Sequence, residues 1–241
     1  STTVERSHPQ FSPDGKELAF IEDRNRLMVL NLETKKVRRI TDGSTWYSTS
    51  GGFDYAWSPD SKWFTVEFIG NKHDPYSDIG LVSAQGNGEI INLTNSGYSS
   101  GSPSFALDGN AILFTTERYG MRAHASWGSL DDAMLVFLNQ DAYDKFSLSK
   151  EDYELYKEAN SDRKKVAAKD SSKVKDVVVE LKNIEDRIVR LTPNSSNMGS
   201  TLISKDGKTL YYLASTESGR NLWKMDLNKK ETKLLHKVDA G

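Results

Sequence analysis

The sequence predicts an all-β fold assembled from copies of one antiparallel unit, and three observations carry that prediction. A Ser-Pro-Asp-Gly type of turn recurs along the 241 residues, with its aspartates at Asp14, Asp60, Asp108 and Asp206. Short runs rich in branched and aromatic residues flank each turn, as expected of strands. A second pair of apolar runs then follows each copy. Four copies of such a compound pattern indicate repeated structure.

Each copy of the repeat predicts four strands. In the first copy, Ser12 opens a type I turn, Pro13 presets φ at the next position, and Gly15 tolerates a positive φ at the fourth. Residues 27–41 then supply two more apolar runs around a polar turn. A four-stranded antiparallel meander of about 40–50 residues has the size of one β-propeller blade. A β-sandwich is the alternative, but sandwiches seldom repeat their turns so literally.

The repeats define the expected domain organisation. We predict a single partial propeller over residues 1–241, with repeats at residues 8–41, 54–94, 101–192 and 199–236. One blade cannot bury both of its faces by itself. Aromatic residues at equivalent positions should therefore pack between neighbouring blades, among them Phe11, Trp57 and Phe105.

The third copy is longer than the others, because 98 residues separate its aspartate from the next, against 46 and 48 for the other steps. The surplus, at about residues 140–176, predicts a short helix and then a solvated linker. Ser149 followed by Asp152 resembles a capping box at the start of that helix. Residues 133–138 and 177–181 both qualify as the third strand of this blade.

Composition excludes several classes of function. With 32 Lys and Arg against 34 Asp and Glu, the net charge of −2 gives no field that would collect nucleic acid or anionic lipid. The absence of cysteine removes thiolate catalysis, disulfides and Cys-type zinc sites. The four histidines are not at metal-ligand spacing, and no nucleotide-binding fingerprint occurs. We therefore expect no cofactor, no metal and no membrane span.

Residues 97–101 match the Gly-x-Ser-x-Gly pattern of the hydrolase nucleophile elbow. That elbow requires a strand before Ser99 and a helix after it. The sequence after Gly101 predicts another strand instead. We interpret the segment as a polar loop between blades and predict no catalytic residue in this chain.

Residues 117–129 are the strongest candidate for binding. They connect the second and third strands of the third blade, so they lie at the same end of the sheets as the crossovers between blades. Arginine forks suit carboxylates, and tryptophan offers a stacking surface for a peptide. A loop that only braces adjacent blades is the alternative. The predicted substrate-binding residues are Arg118, Arg122, His124 and Trp127.

The chain resembles the propeller region of bacterial tricorn-like serine proteases, especially those of gut Bacteroidetes. The resemblance covers nearly the whole chain and rests on the repeats and on three segments, at residues 120–129, 139–155 and 183–192. It implies that the complete propeller has six or seven blades. It also implies that the serine nucleophile belongs to a separate C-terminal domain, which we expect to lie outside this chain.

The resemblance implies a non-catalytic module that binds or guides peptides or unfolded protein segments toward that peptidase domain. It further implies export to the periplasm of a Gram-negative bacterium, with a cytoplasmic location left open. Open blade edges would favour self-association. The alternative function is a stand-alone TolB-like propeller that serves as a scaffold for a protein partner. Nucleic acid is not expected as a partner in either case.

Overall fold

Four four-stranded antiparallel sheets make up the computed structural model of this chain. The structure describes residues 4–49, 51–70, 74–86, 89–122, 128–160, 174–216 and 219–238. Each sheet uses four consecutive strands in simple meander order. The all-β architecture of four repeats is therefore confirmed.

The strands of the four blades are as follows. Blade 1 contains β1 (Arg6–Phe11), β2 (Glu17–Glu22), β3 (Arg26–Asn31) and β4 (Val37–Arg39). Blade 2 contains β5 (Tyr55–Trp57), β6 (Trp63–Phe68), β7 (Asp78–Ser83) and β8 (Ile91–Asn92). Blade 3 contains β9 (Ser100–Ala106), β10 (Ala111–Thr116), β11 (Asp132–Phe137) and β12 (Ile188–Arg190). Blade 4 contains β13 (Asn197–Ile203), β14 (Thr209–Thr216), β15 (Gly219–Asp226) and β16 (Glu231–Lys237).

The repeated turn between the first two strands satisfies its own polar groups. In blade 1, the Ser12 hydroxyl donates to Asp14 Oδ1 at 2.6 Å and accepts from the Glu17 amide at 3.0 Å. The Lys16 amide also donates to Asp14 Oδ1. The Ser12 hydrogen bond is the main reason that the pKa of Asp14 is lowered. Gly15 has φ +71°, as the turn requires.

The same contacts recur in two other blades, and blade 3 departs from them. Ser58 donates to Asp60 in blade 2, and Ser204 donates to Asp206 in blade 4. In blade 3 the serine is replaced by Ala106, and Leu107–Gly109 form a 3-10 turn instead. The hydroxyl is therefore what holds the aspartate in the regular form of the turn.

The core lies between neighbouring blades. Trp57 is buried against Phe64, with ring centroids 4.0 Å apart, and its Nε1 donates to the Gln10 carbonyl oxygen of blade 1. Phe105 is partly buried between blades 2 and 3. The expectation for Phe11 was wrong, since its side chain is 66% exposed. It follows Gln10 along β1, so it points to the face of blade 1 that is turned away from blade 2.

The insertion in blade 3 contains two helices, whereas the sequence predicted one. The predicted helix is α2 (Lys150–Ala159), and the Ser149 hydroxyl accepts a hydrogen bond from the Asp152 amide as expected. It is preceded by α1 (Gln140–Ser147), whose Tyr143 and Phe146 pack against Phe137 of β11. The predicted linker falls largely on residues 161–173, which lie outside the described residues.

The structure decides which segment is the third strand of blade 3. Residues 132–137 form β11, which pairs with both β10 and β12. Residues 174–181 form an extended arm, in which the Glu180 amide donates to the Leu138 carbonyl oxygen at 2.7 Å. The Val177 amide donates to Asp60 Oδ2 at 2.8 Å, so the arm also ties blade 3 to the turn of blade 2.

A buried arginine fixes the return of this arm to the sheet. The Arg187 side chain is 3% exposed, and its guanidinium donates to the carbonyl oxygens of Phe137, Lys182 and Glu180. Three backbone acceptors thus satisfy a charge inside the insertion.

Among the helices of the described ranges, none has the length and apolar character that a membrane span requires.

Candidate functional site

Two sets of loops meet at one end of the four sheets. The crossovers from one blade to the next and the loops from each second strand to its third strand both lie where the first and third strands begin. We call this end the crossover face. The repeated turns and the helical insertion lie at the opposite end, which we call the turn face. The crossover face is formed by the described parts of residues 23–25, 40–54, 69–77, 93–99, 117–131 and 191–196.

A pocket of about 120 Å³ opens on the crossover face between blades 2 and 3. We call it the interblade pocket. Its walls come from the β6–β7 loop, the crossover between the two blades and the β10–β11 loop. Its lining includes Tyr76, Tyr98, Glu117, Arg122 and Ser129.

Arg122 is the predicted binding residue that lines this pocket. Its guanidinium carbon lies 5.8 Å from the centre of the Tyr98 ring, in the range of a cation–π contact. An isolated β-bridge between Arg122 and Ser129 closes the base of the loop. The Leu130 amide donates to the Met121 carbonyl oxygen beside that bridge. The backbone of Arg122 is therefore fixed by its pairing with Ser129.

The other predicted residues have different positions. Arg118 stacks over Tyr119 at 5.6 Å, and Arg190 of β12 lies over the same ring at 4.9 Å. Arg118 is not among the side chains that line the interblade pocket. His124 and Trp127 lie outside the described residues. Of the four predicted residues, Arg122 is the one placed in a described pocket.

Sequence reasoning missed the aromatic wall of the pocket. Tyr98 lies inside the Gly-x-Ser-x-Gly match. That pattern concerns Ser99 as a nucleophile and carries no information about its neighbour. Ser99 is followed directly by β9, and its carbonyl oxygen accepts from the Glu117 amide at 2.9 Å. The strand predicted after this segment is present. Tyr76 carries no motif, and no sequence signal pointed to it.

Buried carboxylates support the loops around the pocket. Asp132, at the start of β11, is fully buried and accepts from Arg190 at 2.9 Å, Thr192 at 2.7 Å and Ser195 at 2.7 Å. Asp131 has no such set of donors. Burial, with the nearby charge of Glu117 as the next cause, raises the pKa of Asp131 to about 6.

A second pocket, of about 200 Å³, opens among the first strands of blades 1, 2 and 3. We call it the axial pocket. The Ser102 hydroxyl donates to Asp54 Oδ2 at 3.1 Å, and His8 Nδ1 lies 2.9 Å from the Ser7 hydroxyl. A catalytic triad needs a serine that donates to a histidine. Here Ser102 donates to the carboxylate itself, so the three residue types do not form that relay.

No metal site accompanies either pocket in the part of the chain that the structure describes. There, no group of three His, Asp or Glu side chains is arranged to hold an ion. The side chains that line the two pockets are charged, hydrogen-bonding, aromatic and small apolar ones.

Comparison with known proteins supports the predicted relationship. No family model matches the chain. Over 184 residues, or 74% of the chain, it is 27% identical to a candidate tricorn-like protease C-terminal subunit of Sulfurisphaera tokodaii. Over 221 residues, or 88% of the chain, it is 26% identical to the uncharacterized peptidase YuxL of Bacillus subtilis. The resemblance to tricorn-like proteases is thereby confirmed.

Solved structures identify the fold. The crystal structure of the tricorn protease matches 96% of this chain with a TM-score of 0.65 and 12% sequence identity. A TolB candidate from Agrobacterium tumefaciens matches all of it with a TM-score of 0.61 and 16% identity. The four sheets are β-propeller blades. At these identities the structural matches concern the propeller fold alone.

The propeller covers only part of each of these proteins. It spans 18% and 30% of the two sequence relatives, and 22% and 65% of the two solved chains. This chain is a propeller module similar to those of a peptidase family. Activities of the longer proteins are not properties of the module by itself.

Proposed function

We propose that this propeller is the non-catalytic, peptide-binding module of a tricorn-like peptidase, and that the interblade pocket receives part of the peptide. One observation carries the proposal. Arg122 lines the pocket beside Tyr98, and it forms no ion pair with any described residue. A guanidinium that is free to bind and lies next to aromatic surface suits a carboxylate attached to an apolar segment.

The size of the pocket limits what enters it. A volume of about 120 Å³ accommodates one side chain or a chain terminus rather than a folded domain. Glu117 also lines the pocket and would disfavour a ligand with several negative charges. The proposed ligand is therefore an extended segment with one carboxylate. Guidance of that segment toward a peptidase domain, and export to the periplasm, belong to the same proposal.

Binding of fluorescent peptides tests the role of Arg122. Arg122→Ala should weaken the binding of peptides with a free C-terminal carboxylate about tenfold or more, because a charge-assisted hydrogen bond is lost. Fluorescence anisotropy against a peptide series gives the dissociation constants. Arg118→Ala is the matched control, since it removes an exposed arginine of the same loop that stacks outside the pocket. Equal losses in both variants, or none in Arg122→Ala, would remove the pocket from the proposal.

Exposed apolar residues on the outer faces of the first and last blades support a larger assembly. Phe11 of blade 1 is 66% exposed and Leu202 of blade 4 is 65% exposed. Both belong to sheet faces of the kind that neighbouring blades cover elsewhere in the chain. We propose that further blades of the same propeller cover them. A second copy of the chain is the alternative occupant, and sedimentation of the isolated module distinguishes the two.

A further inference from the structure

The axial pocket is built from positions that the repeat makes equivalent. His8, Asp54 and Ser102 are separated by 46 and 48 residues, the same steps that separate the first three turn aspartates. They therefore occupy equivalent positions in three successive repeats, within β1 and β9 and, for Asp54, directly before β5. Those strands lie side by side, since the Gln10 side chain donates to the Tyr55 carbonyl oxygen at 3.0 Å. The Tyr55 hydroxyl in turn donates to the His8 carbonyl oxygen.

The pocket presents a carboxylate that lacks a cation. Asp54 is exposed at its rim, and Oδ2 accepts from Ser102 while Oδ1 accepts from no described residue. Neither lysine nor arginine lines the pocket. The Gln10 amide nitrogen is engaged by Tyr55, which leaves its side-chain oxygen as a second acceptor. Two acceptors thus point to a ligand that donates hydrogen bonds and carries positive charge.

A second carboxylate lies behind the first. The Glu67 amide donates to the Asp54 carbonyl oxygen at 2.8 Å, so the two residues are neighbours on paired strands. Burial, together with the charge of Asp54, raises the pKa of the Glu67 carboxyl to about 7. No described cation offsets either group. A positive ligand at Asp54 would relieve this repulsion.

The remaining walls define the shape of the ligand. Phe53, Tyr55 and Pro103 give the pocket an apolar side next to its acceptors. A volume of about 200 Å³ admits an alkyl or peptide segment but not a bulky group. A small ammonium head on an apolar stem fits both the acceptors and the walls.

We propose that the axial pocket binds a primary ammonium group, with Asp54 as its charged partner and the Gln10 side-chain oxygen as a second acceptor. The chemistry is shared by a peptide amino terminus and by a lysine side chain. Both groups occur in peptides, so this site would add a second contact to the proposed peptide-binding function. The peptide origin of the ligand rests on that proposed function. The two pockets are close, since Tyr76 of the interblade pocket precedes Ser77, which is hydrogen-bonded to Glu67.

The first experiment tests the ammonium site without any peptide. n-Butylamine is titrated into the protein at neutral pH, and binding is followed by NMR shifts of backbone amides. We expect shifts at residues 53–55 and 101–104 with saturation in the millimolar range. Asp54→Asn should abolish them, while Glu33→Gln, which removes an exposed carboxylate on the turn face, should not. An absence of saturable shifts in the unchanged protein would overturn the proposal.

A variant that is expected to bind more tightly shows that a loss of binding in Asp54→Asn is not caused by misfolding. Gln10→Glu places a carboxylate where the second acceptor lies. It gives up the hydrogen bond from Gln10 Nε2 to the Tyr55 carbonyl oxygen, but the added charge should still tighten n-butylamine binding several-fold. A damaged protein could not produce that result. Weaker or unchanged binding in Gln10→Glu would contradict the assignment of Gln10.

Peptides then separate the two sources. A peptide with a free amino terminus is compared with its acetylated form and with an acetylated form that contains one lysine. If the peptide with a free amino terminus binds tenfold more tightly than the acetylated form, and Asp54→Asn removes this preference, the ligand is the amino terminus. If the acetylated peptide with one lysine regains the lost affinity, the ligand is the lysine side chain. Equal affinity of all three peptides would reject a peptide source. If n-butylamine still binds, the ammonium site stands and the peptide-binding function alone is contradicted.

Discussion

The turn aspartates differ from two carboxylates at the crossover end, Glu67 and Asp131, in the direction in which their pKa values are shifted. On the turn face, serine hydroxyls and backbone amides bind Asp14 and Asp206, and the pKa of each is lowered, with the serine as the first cause. At the crossover end, burial is the first cause that raises the pKa of Glu67 in β6 to about 7 and that of Asp131 to about 6. The turn aspartates are stabilised by local donors, as Asp42 is by Ser44 in the crossover after blade 1, whereas burial dominates at Glu67 and Asp131. Each of these two raised carboxylates lies near a carboxylate that lines a pocket, Asp54 beside Glu67 and Glu117 beside Asp131.

Removal of Arg187 should give the largest change in stability. Arg187→Ala leaves three carbonyl oxygens of the insertion without their donor, so we expect a loss of about 3–5 kcal/mol in the free energy of unfolding. Urea denaturation measures this loss. Lys182→Ala is the control, because that exposed lysine contributes only its backbone oxygen to the network. A loss below about 1 kcal/mol would show that the turn face does not depend on this buried charge.

Glu67→Gln should stabilise the protein in a pH-dependent way. The folded state keeps a proton on Glu67 up to a pH of about 7, whereas an unfolded glutamate loses it near its ordinary pKa of 4.5. The unfolded state therefore binds fewer protons between these values, and stability falls as the pH rises from about 4.5 to 7. Glutamine carries no charge at any pH and so avoids this loss of stability. The free energy of unfolding of the variant should therefore exceed that of the unchanged protein by up to about 3 kcal/mol at pH 8.

The gain should fall to about 1 kcal/mol at pH 5 and approach zero only below pH 4.5, where the glutamate is protonated in both states. Urea denaturation of both proteins from pH 5 to 8 gives the comparison, and Glu33→Gln on the turn face should show no such trend. A constant difference across this range would mean that the carboxylates of the two faces do not differ as described.

Ser61→Gly should give the smallest effect. Ser61 has φ +60° at the turn position that glycine occupies in blades 1 and 4, with φ +71° at Gly15 and +70° at Gly207. Glycine relieves the left-handed strain, but it also removes the hydroxyl that accepts from the Asp14 amide at 3.2 Å. We expect a net gain of roughly 0.5 kcal/mol, seen as a small rise in Tm. A fall in Tm would show that the contact between the turns of blades 1 and 2 outweighs local strain.

Much of the fold follows from local chemistry that is visible in the sequence. The turns were predictable because Ser12, Asp14 and Gly15 satisfy one another within four residues. The cap of α2 was predictable for the same reason. Helix α1 was missed although Asn139 is a good N-cap residue, whose side chain accepts from the Ala142 amide. Its packing against Phe137 is a tertiary contact, which the local sequence pattern does not predict.

The candidate binding residues, like the fold, were predictable from the sequence only in part. The sequence predicted the β10–β11 loop, with Arg122 in it, as a binding site because arginine and aromatic residues are concentrated there, and that role stays a proposal. It did not separate Arg122 from Arg118, because the direction of each side chain depends on the bridge to Ser129 and on the ring of Tyr119. It missed the axial pocket, although the repeat steps align His8, Asp54 and Ser102. Equivalent positions in a repeat do not by themselves predict a pocket, because the spacing of neighbouring first strands depends on how the blades pack.

The sequence alone determined the repeat, the number of sheets and the type of turn, because each depends on residues close together along the chain. Only the tertiary structure decided which strand completes blade 3, where the insertion returns and which side chains from different blades meet in a pocket. Those outcomes depend on contacts between residues 40 to 120 positions apart, such as Asp54 with Ser102 or Val177 with Asp60. Local propensity carries no information about such pairs, because packing between whole blades sets their geometry.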